Sequence, residues 1–158
     1  AEEGVMSENY RKYAKCLERS VKHIFTNFLG DASVKTVSDA CKKADYKVWL
    51  EIEGSFCGEI FLKFPDGTMK KITEQLYSDV KGKALKQASM DIMGELANMI
   101  TGTFANQLQF LNHDLILNAP EFENDPIPMK ALYENISLTF ESVFGLFEAE
   151  VFFRNEEG

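Results

Sequence analysis

The longest helical pattern in this sequence runs from about Lys83 to Leu111 and contains no proline. On both sides of it lie segments of a different period, in which apolar residues alternate with polar ones, as in strands buried on one face. A chain with both periods buries its apolar surfaces by packing helices on a sheet. The combination predicts an α+β fold.

The remaining elements follow from the same two periods and from turn residues. A first helix is predicted from about Ser7 to Phe28, with Ser7 as its cap and Gly30 at its end. A short helix is predicted from about Thr68 to Tyr77. Strands are predicted between Ser33 and Phe64 with a hairpin at Glu53-Gly54-Ser55, near Leu115–Leu117, near Leu132–Phe140, and at Leu146–Arg154 after a turn at Gly145.

These elements predict one domain over residues 1–158. Two long helices pack on a mainly antiparallel sheet of about six strands, with one additional short helix. Two interpretations of the first six residues stay open. They are either a vector remnant that ends near Met6 or a disordered native end.

The charge balance bears on partners and location. Seventeen Lys and Arg face 25 Asp and Glu, a net charge of −8, whereas binding to nucleic-acid phosphates requires a basic surface. No run of about 18 apolar residues is present, and the first residues do not have the basic-then-apolar order of a secretory signal. We therefore expect no nucleic acid, no membrane contact, and a cytoplasmic protein.

Few residues are available for a metal site or a catalytic triad. The three cysteines, Cys16, Cys41 and Cys57, form no C-x-x-C pair and are interpreted as reduced thiols. The two histidines, His23 and His113, are far apart in the sequence. A zinc site and a Ser-His-Asp triad are therefore disfavoured, and we expect no metal bound by this chain.

The long helix has an unusual polar face. At about 100° per residue its apolar residues fall on one arc, and a second arc holds Gln87, Asp91, Glu95, Asn98, Gly102, Ala105, Asn106 and Gln109. The middle of this second arc has no basic residue, and Asn98 and Gly102 are poor helix formers. Gly94 and Gly102 need an explanation of their own. Glu95 and Asn98, one turn apart, have Cβ atoms about 5–6 Å apart and can enter one small site on a partner.

The pattern Asp91-x-x-x-Glu95-x-x-Asn98-x-x-x-Gly102 resembles the signature of the CheX/CheC/FliY phosphatases of bacterial chemotaxis. The chain length and the order of elements resemble CheX over nearly the whole chain, and residues 54–60 are similar to a glycine-flanked strand of that family. The resemblance implies hydrolysis of the aspartyl phosphate on CheY or a CheY-like receiver domain.

The resemblance also implies roles for single residues. Glu95 would pair with the active-site lysine of the receiver, and Asn98 would orient the water that attacks phosphorus. Magnesium would be bound by the receiver, so this chain would need no cofactor. CheX relatives pair through their sheets, so a homodimer is expected, and alternating apolar strands allow one.

Only one such site is predicted. In the first helix Glu18 is followed three residues later by Val21, so no second motif exists there. In the sequence Glu121-Phe122-Glu123-Asn124 a Glu is also followed three residues later by an Asn. This segment lies between Pro120 and Pro126, where a helix cannot run. We therefore give this segment no weight as a second site.

Several alternatives stay open. Asp91 either aids docking or only supports the helix, and Gly102 either admits a partner or packs against a neighbouring element. Three functions remain: an active receiver phosphatase, a non-catalytic adaptor of the same fold that binds a receiver domain or flagellar switch component, and an unrelated scaffold that dimerises through a sheet edge. The presence of both Glu95 and Asn98 favours the phosphatase, because a pure binder has no use for the amide.

Overall fold

The computed structural model describes residues 8–39, 44–109, 115–122 and 133–154. Its elements in chain order are α1 (Glu8–Asn27), β1 (Lys35–Val37), β2 (Tyr46–Gly54), β3 (Gly58–Phe64), α2 (Asp66–Leu76), α3 (Lys83–Gln109), β4 (Leu115–Leu117), β5 (Glu121–Phe122), β6 (Tyr133–Ser142) and β7 (Gly145–Arg154). The predicted α+β fold, with two long helices and one short one, is confirmed.

The strands form one sheet in the order β1-β6-β7-β3-β2-β4, and β5 also pairs with β2. Every strand pair described is antiparallel. The β6–β7 hairpin turns at Gly145, whose φ of 129° is a conformation that favours glycine. Among the described residues the sheet has seven strands, in agreement with the predicted sheet of about six; the short β5 is the one that was not predicted.

The helices cover one face of this sheet and enclose a single core. Leu17, Val21 and Phe25 of α1 are fully buried, and the ring of Phe25 stacks on that of Phe147 in β7 at a centroid distance of 4.6 Å. The helix ends at Asn27, and Gly30 has a positive φ of 74°, as predicted for its end.

Some predicted boundaries were wrong. Phe28, predicted on the core face of the first helix, is 40% exposed because α1 ends before it. The short helix begins at Asp66 directly after Pro65, two residues before the predicted start, because proline is well tolerated at a helix start. The second strand of the first hairpin begins at Gly58. The predicted ends at Ser7, Leu111 and Leu132 lie outside the described residues.

The long helix α3 packs against α1 and α2 as well as on β2, β3 and β4. Its apolar face is therefore wider than the helical pattern predicts. Ala105, predicted on the polar arc, is buried, as is Ala97. The position of α3 leaves the predicted acidic and amide residues on the outer side of the domain.

Candidate functional site

The exposed face of α3 carries three of the four predicted site residues. Asp91, Glu95 and Asn98 are all exposed, whereas Leu96 and Ile100 on the opposite side of the helix are fully buried. The spacing of four and three residues places the three polar side chains along one stripe of the helix. The core contacts of the buried side fix the rotation of α3 and so keep the stripe in solvent.

The stripe forms one wall of an open groove of about 440 Å³. The opposite wall comes from the segment that contains β5. The groove is lined by Met90, Asp91, Gly94, Glu95, Asn98, Pro120 and Phe122. The carboxylate of Glu95 and the amide of Asn98 are thus brought together at one concave surface, open to a partner.

The central polar residues of the groove are Glu95 and Asn98. Within the four described ranges, neither Glu95 nor Asn98 has a hydrogen-bond or ion-pair partner. Asp91 differs, because its Oδ1 accepts a hydrogen bond of 3.0 Å from Nε2 of Gln87, one turn earlier on the helix. Asp91 is therefore held in place by its own helix while it lines the groove.

The groove has a clear charge preference. Its described lining residues include two carboxylates, Asp91 and Glu95, and no lysine, arginine or histidine. A cationic side chain of a partner would therefore find opposite charge and no competing cation among these described residues. The Asn98 amide, which can donate and accept hydrogen bonds, adds a neutral group suited to a water or an oxyanion.

Gly102 lies one turn beyond Asn98 and does not line the groove. A Cβ added at Gly102 would meet no atom within 4 Å among the described residues. The described part of the chain therefore offers no support for close packing of a neighbouring element. The residue leaves a flat, accessible stretch of helix next to Asn98.

Sequence reasoning missed Pro120 and Phe122. The segment at Glu121-Phe122-Glu123-Asn124 received no weight as a helix motif, and the described part of it, Glu121–Phe122, is indeed a strand. Glu123 and Asn124 lie outside the described residues. The available signal was Gly94: a glycine inside a long helix indicates a close neighbour, and that neighbour is Phe122.

The position on α1 where a second motif was not expected is occupied by a paired acidic residue and a buried apolar one. The side chain of Glu18 pairs with Lys22 on the same helix at 3.0 Å, and Val21 is fully buried. Elsewhere among the described residues, no group of three or more His, Cys, Asp or Glu side chains is placed to hold a metal ion. None of the helices described is long and apolar enough to cross a membrane.

Comparison with known families identifies the chain. The family described as "Chemotaxis phosphatase CheX" matches residues 46–125, which is 80 of the 158 residues and contains the whole groove. The chain belongs to the CheX family. The predicted resemblance to this family of chemotaxis phosphatases is thereby confirmed. A search of curated proteins finds no match to this sequence.

Solved structures share the CheX fold. CheX from Vibrio vulnificus has a TM-score of 0.78 at 18% identity, covering 94% of this chain and 100% of that chain. CheX from Desulfovibrio desulfuricans has a TM-score of 0.74 at 18% identity, covering 90% and 99%. A chain of the CheX–CheY–BeF3–Mg2+ complex from Borrelia burgdorferi has a TM-score of 0.73 at 19% identity, covering 90% and 98%.

Proposed function

We propose that this protein dephosphorylates the aspartyl phosphate of CheY or a CheY-like receiver domain. The observation that carries the proposal is the exposure of Glu95 and Asn98, without partners among the described residues, in one groove of α3. Membership of the CheX family supports the reaction, and the CheX–CheY complex from Borrelia burgdorferi supports the class of partner.

The amide of Asn98 acts on the attacking water. An acyl phosphate is already activated, so placing a water in line with the bond that breaks supplies much of the acceleration. The Asn98 carbonyl accepts a hydrogen bond from the water, and its NH2 group donates to an oxygen nearby. The water oxygen bonds to phosphorus and the bond to the aspartyl oxygen breaks. The products are inorganic phosphate and a free aspartate. The hydroxyl of the water stays on phosphorus, and the remaining proton of the water is released to solvent.

Glu95 holds the complex in register. Its carboxylate pairs with the active-site lysine of the receiver, which enters a groove with no cationic side chain among the lining residues that the structure describes. Asp91, fixed by Gln87, adds negative charge one turn away. Gly102 lets the receiver approach the helix closely beyond Asn98, since no described atom stands over it.

Magnesium belongs to the partner in this reaction. The acidic cluster of the receiver binds the ion. This protein needs only to present Glu95 and Asn98 to the receiver. Cys16 and Cys57 are free thiols, in agreement with a reducing compartment, and we place the reaction in the cytoplasm. We also propose a homodimer formed through the sheet, for which sedimentation of the pure protein is the test.

A phosphate-release assay tests the proposed activity. The receiver domain is phosphorylated with a small phosphodonor in the presence of Mg2+, the donor is removed, and the loss of phosphate is followed with and without this protein. We expect an acceleration of about 100-fold over the receiver alone, the scale that a positioned polar group supplies. Binding of the phosphorylated receiver without acceleration would instead identify a non-catalytic adaptor.

A further inference from the structure

Phe122 has a large apolar side chain in the groove, and the proposed reaction gives this side chain no role. It is 41% exposed, and it lines the groove opposite Glu95 and Asn98. In β5 it pairs with Val48, whose side chain is buried in the core. Paired residues point to the same face of a sheet, so Phe122 is directed to the helix side, toward α3.

Gly94 gives the ring its place beside the helix. A Cβ at position 94 would lie 3.3 Å from Cζ of Phe122, closer than ordinary van der Waals contact. The absence of a side chain at Gly94 lets the ring lie against the helix one residue away from Glu95. An exposed aromatic ring thus stands beside an exposed carboxylate within one groove.

We propose that Phe122 is a specificity-determining residue for docking of the receiver domain. Its ring forms the apolar wall along which the aliphatic stem of a partner lysine lies while the ammonium group pairs with Glu95. Lysine has the required chemistry, because its stem packs on apolar surface and its charge is attracted both to a carboxylate and to an aromatic face. The inference rests on the proposed function and adds a residue to its docking surface.

Two observations select a receiver as the occupant. The ring is continuous with the face that carries Glu95 and Asn98, so a protein that reaches Asn98 also covers Phe122. The described lining of the groove carries two carboxylates and no cationic side chain, which suits a cationic side chain of a partner beside an aromatic one. A second copy of this chain is the competing occupant, and the test below separates the two.

The test measures binding and turnover separately. The affinity of wild type, Phe122→Ala and Phe122→Leu for a CheY receiver domain activated with beryllofluoride and Mg2+ is measured by titration, and phosphate release gives kcat and KM. The matched control is Phe28→Ala, because Phe28 is 40% exposed and follows α1, near Asp31. Asp31 accepts a hydrogen bond from the β6–β7 turn, and β3 separates β6 and β7 from β2 and β5 in the sheet. Phe28 therefore lies toward the other edge of the sheet from the groove.

We expect Phe122→Ala to raise Kd and KM about 10-fold, equal to about 1.4 kcal/mol, with a much smaller change in kcat. Phe122→Leu should recover part of this loss, and Phe28→Ala should bind like wild type. When the receiver's active-site lysine is replaced by alanine, the Kd values of Phe122→Ala and wild type should become nearly equal.

Three results would overturn the inference. Wild-type affinity in Phe122→Ala would show that the ring does not contact the receiver, even where Asn98→Ala still abolishes turnover. If Phe122→Ala changes the sedimentation of the protein alone and leaves its affinity for the receiver unchanged, the ring contacts a second copy of this chain instead. Absence of both binding and acceleration in the wild type would remove the proposed function and this inference with it.

Discussion

Gly94 lies against the ring of Phe122, so closely that a methyl group at position 94 would come 3.3 Å from Cζ. This contact joins the middle of α3 to the short strand β5, and it sets the width of the groove that Glu95 and Asn98 line. A residue without a side chain thus determines the shape of the proposed docking surface. The contact can be tested by adding one carbon.

Gly94→Ala should separate stability from docking. Alanine favours an α-helix over glycine by about 1 kcal/mol, but the added Cβ pushes the Phe122 ring by a few tenths of an ångström. We expect a free energy of unfolding equal to or above that of wild type in urea denaturation, and a KM for the phosphorylated receiver raised about 3-fold. Gly67→Ala in α2, which meets no described atom within 4 Å, is the control and should leave KM unchanged. A lower KM in Gly94→Ala would contradict this account of the contact.

Gly102→Ala tests the open stretch beyond Asn98. With no described atom within 4 Å of the added methyl group, the helix should gain up to about 1 kcal/mol of stability. If the receiver lies on this stretch, the same methyl group should weaken its binding. We expect a higher midpoint in thermal denaturation together with a higher Kd for the beryllofluoride-activated receiver. Unchanged affinity would remove Gly102 from the docking surface and leave the rest of the site intact.

Glu95→Gln tests the charge in the groove. The substitution keeps the shape of the side chain and removes its attraction for a cation. We expect the Kd for the activated receiver to rise about 10-fold at low salt, and the difference from wild type to shrink at about 0.5 M salt. Glu74→Gln on α2, also exposed, is the control for a general change in net charge. Equal affinities for wild type and Glu95→Gln at low salt would refute the proposed ion pair.

The helix motif could be predicted from the sequence because a long helix repeats its period many times. The predicted apolar positions of α3, among them Leu96, Ile100 and Phe104, enter the core with a single rotation of the helix. That rotation places Glu95 and Asn98 in solvent. The wall opposite them could not be predicted. A two-residue strand such as Glu121–Phe122 has no period, and its position depends on pairing with β2, which is far away in sequence. Ala105 was placed wrongly for a related reason: the pattern does not show how much of α3 the neighbouring elements cover.

Asp31 gives the fold a predictable response to acid. Its side chain is almost fully buried, which by itself raises the pKa, but hydrogen bonds from the Ser33 hydroxyl and from the backbone N–H groups of Val143 and Ser33 outweigh burial and lower the pKa below its usual 3.8. A carboxyl whose pKa is lower in the folded state stabilises the fold above its unfolded pKa, and this contribution is lost as the pH falls through the folded pKa.

Asp31→Asn should therefore unfold more easily at pH 7, by about 2 kcal/mol, because one amide oxygen cannot replace both carboxylate oxygens. The difference between Asp31→Asn and wild type should shrink as the pH is lowered from about 5 to below the usual pKa of Asp. Urea denaturation over this pH series is the measurement. A difference that stays constant over the series would show that the ionised carboxylate is not what joins the loop after α1 to the β6–β7 turn.

The central claim concerns the amide of Asn98, and comparing turnover with binding in Asn98→Ala tests it most directly. Asn106→Ala is the matched control, an exposed asparagine on the same helix outside the groove. We predict that Asn98→Ala binds the beryllofluoride-activated receiver within about 3-fold of wild type and releases phosphate about 100-fold more slowly, while Asn106→Ala matches wild type in both. If Asn98→Ala releases phosphate from the receiver as fast as wild type, Asn98 does not position the attacking water.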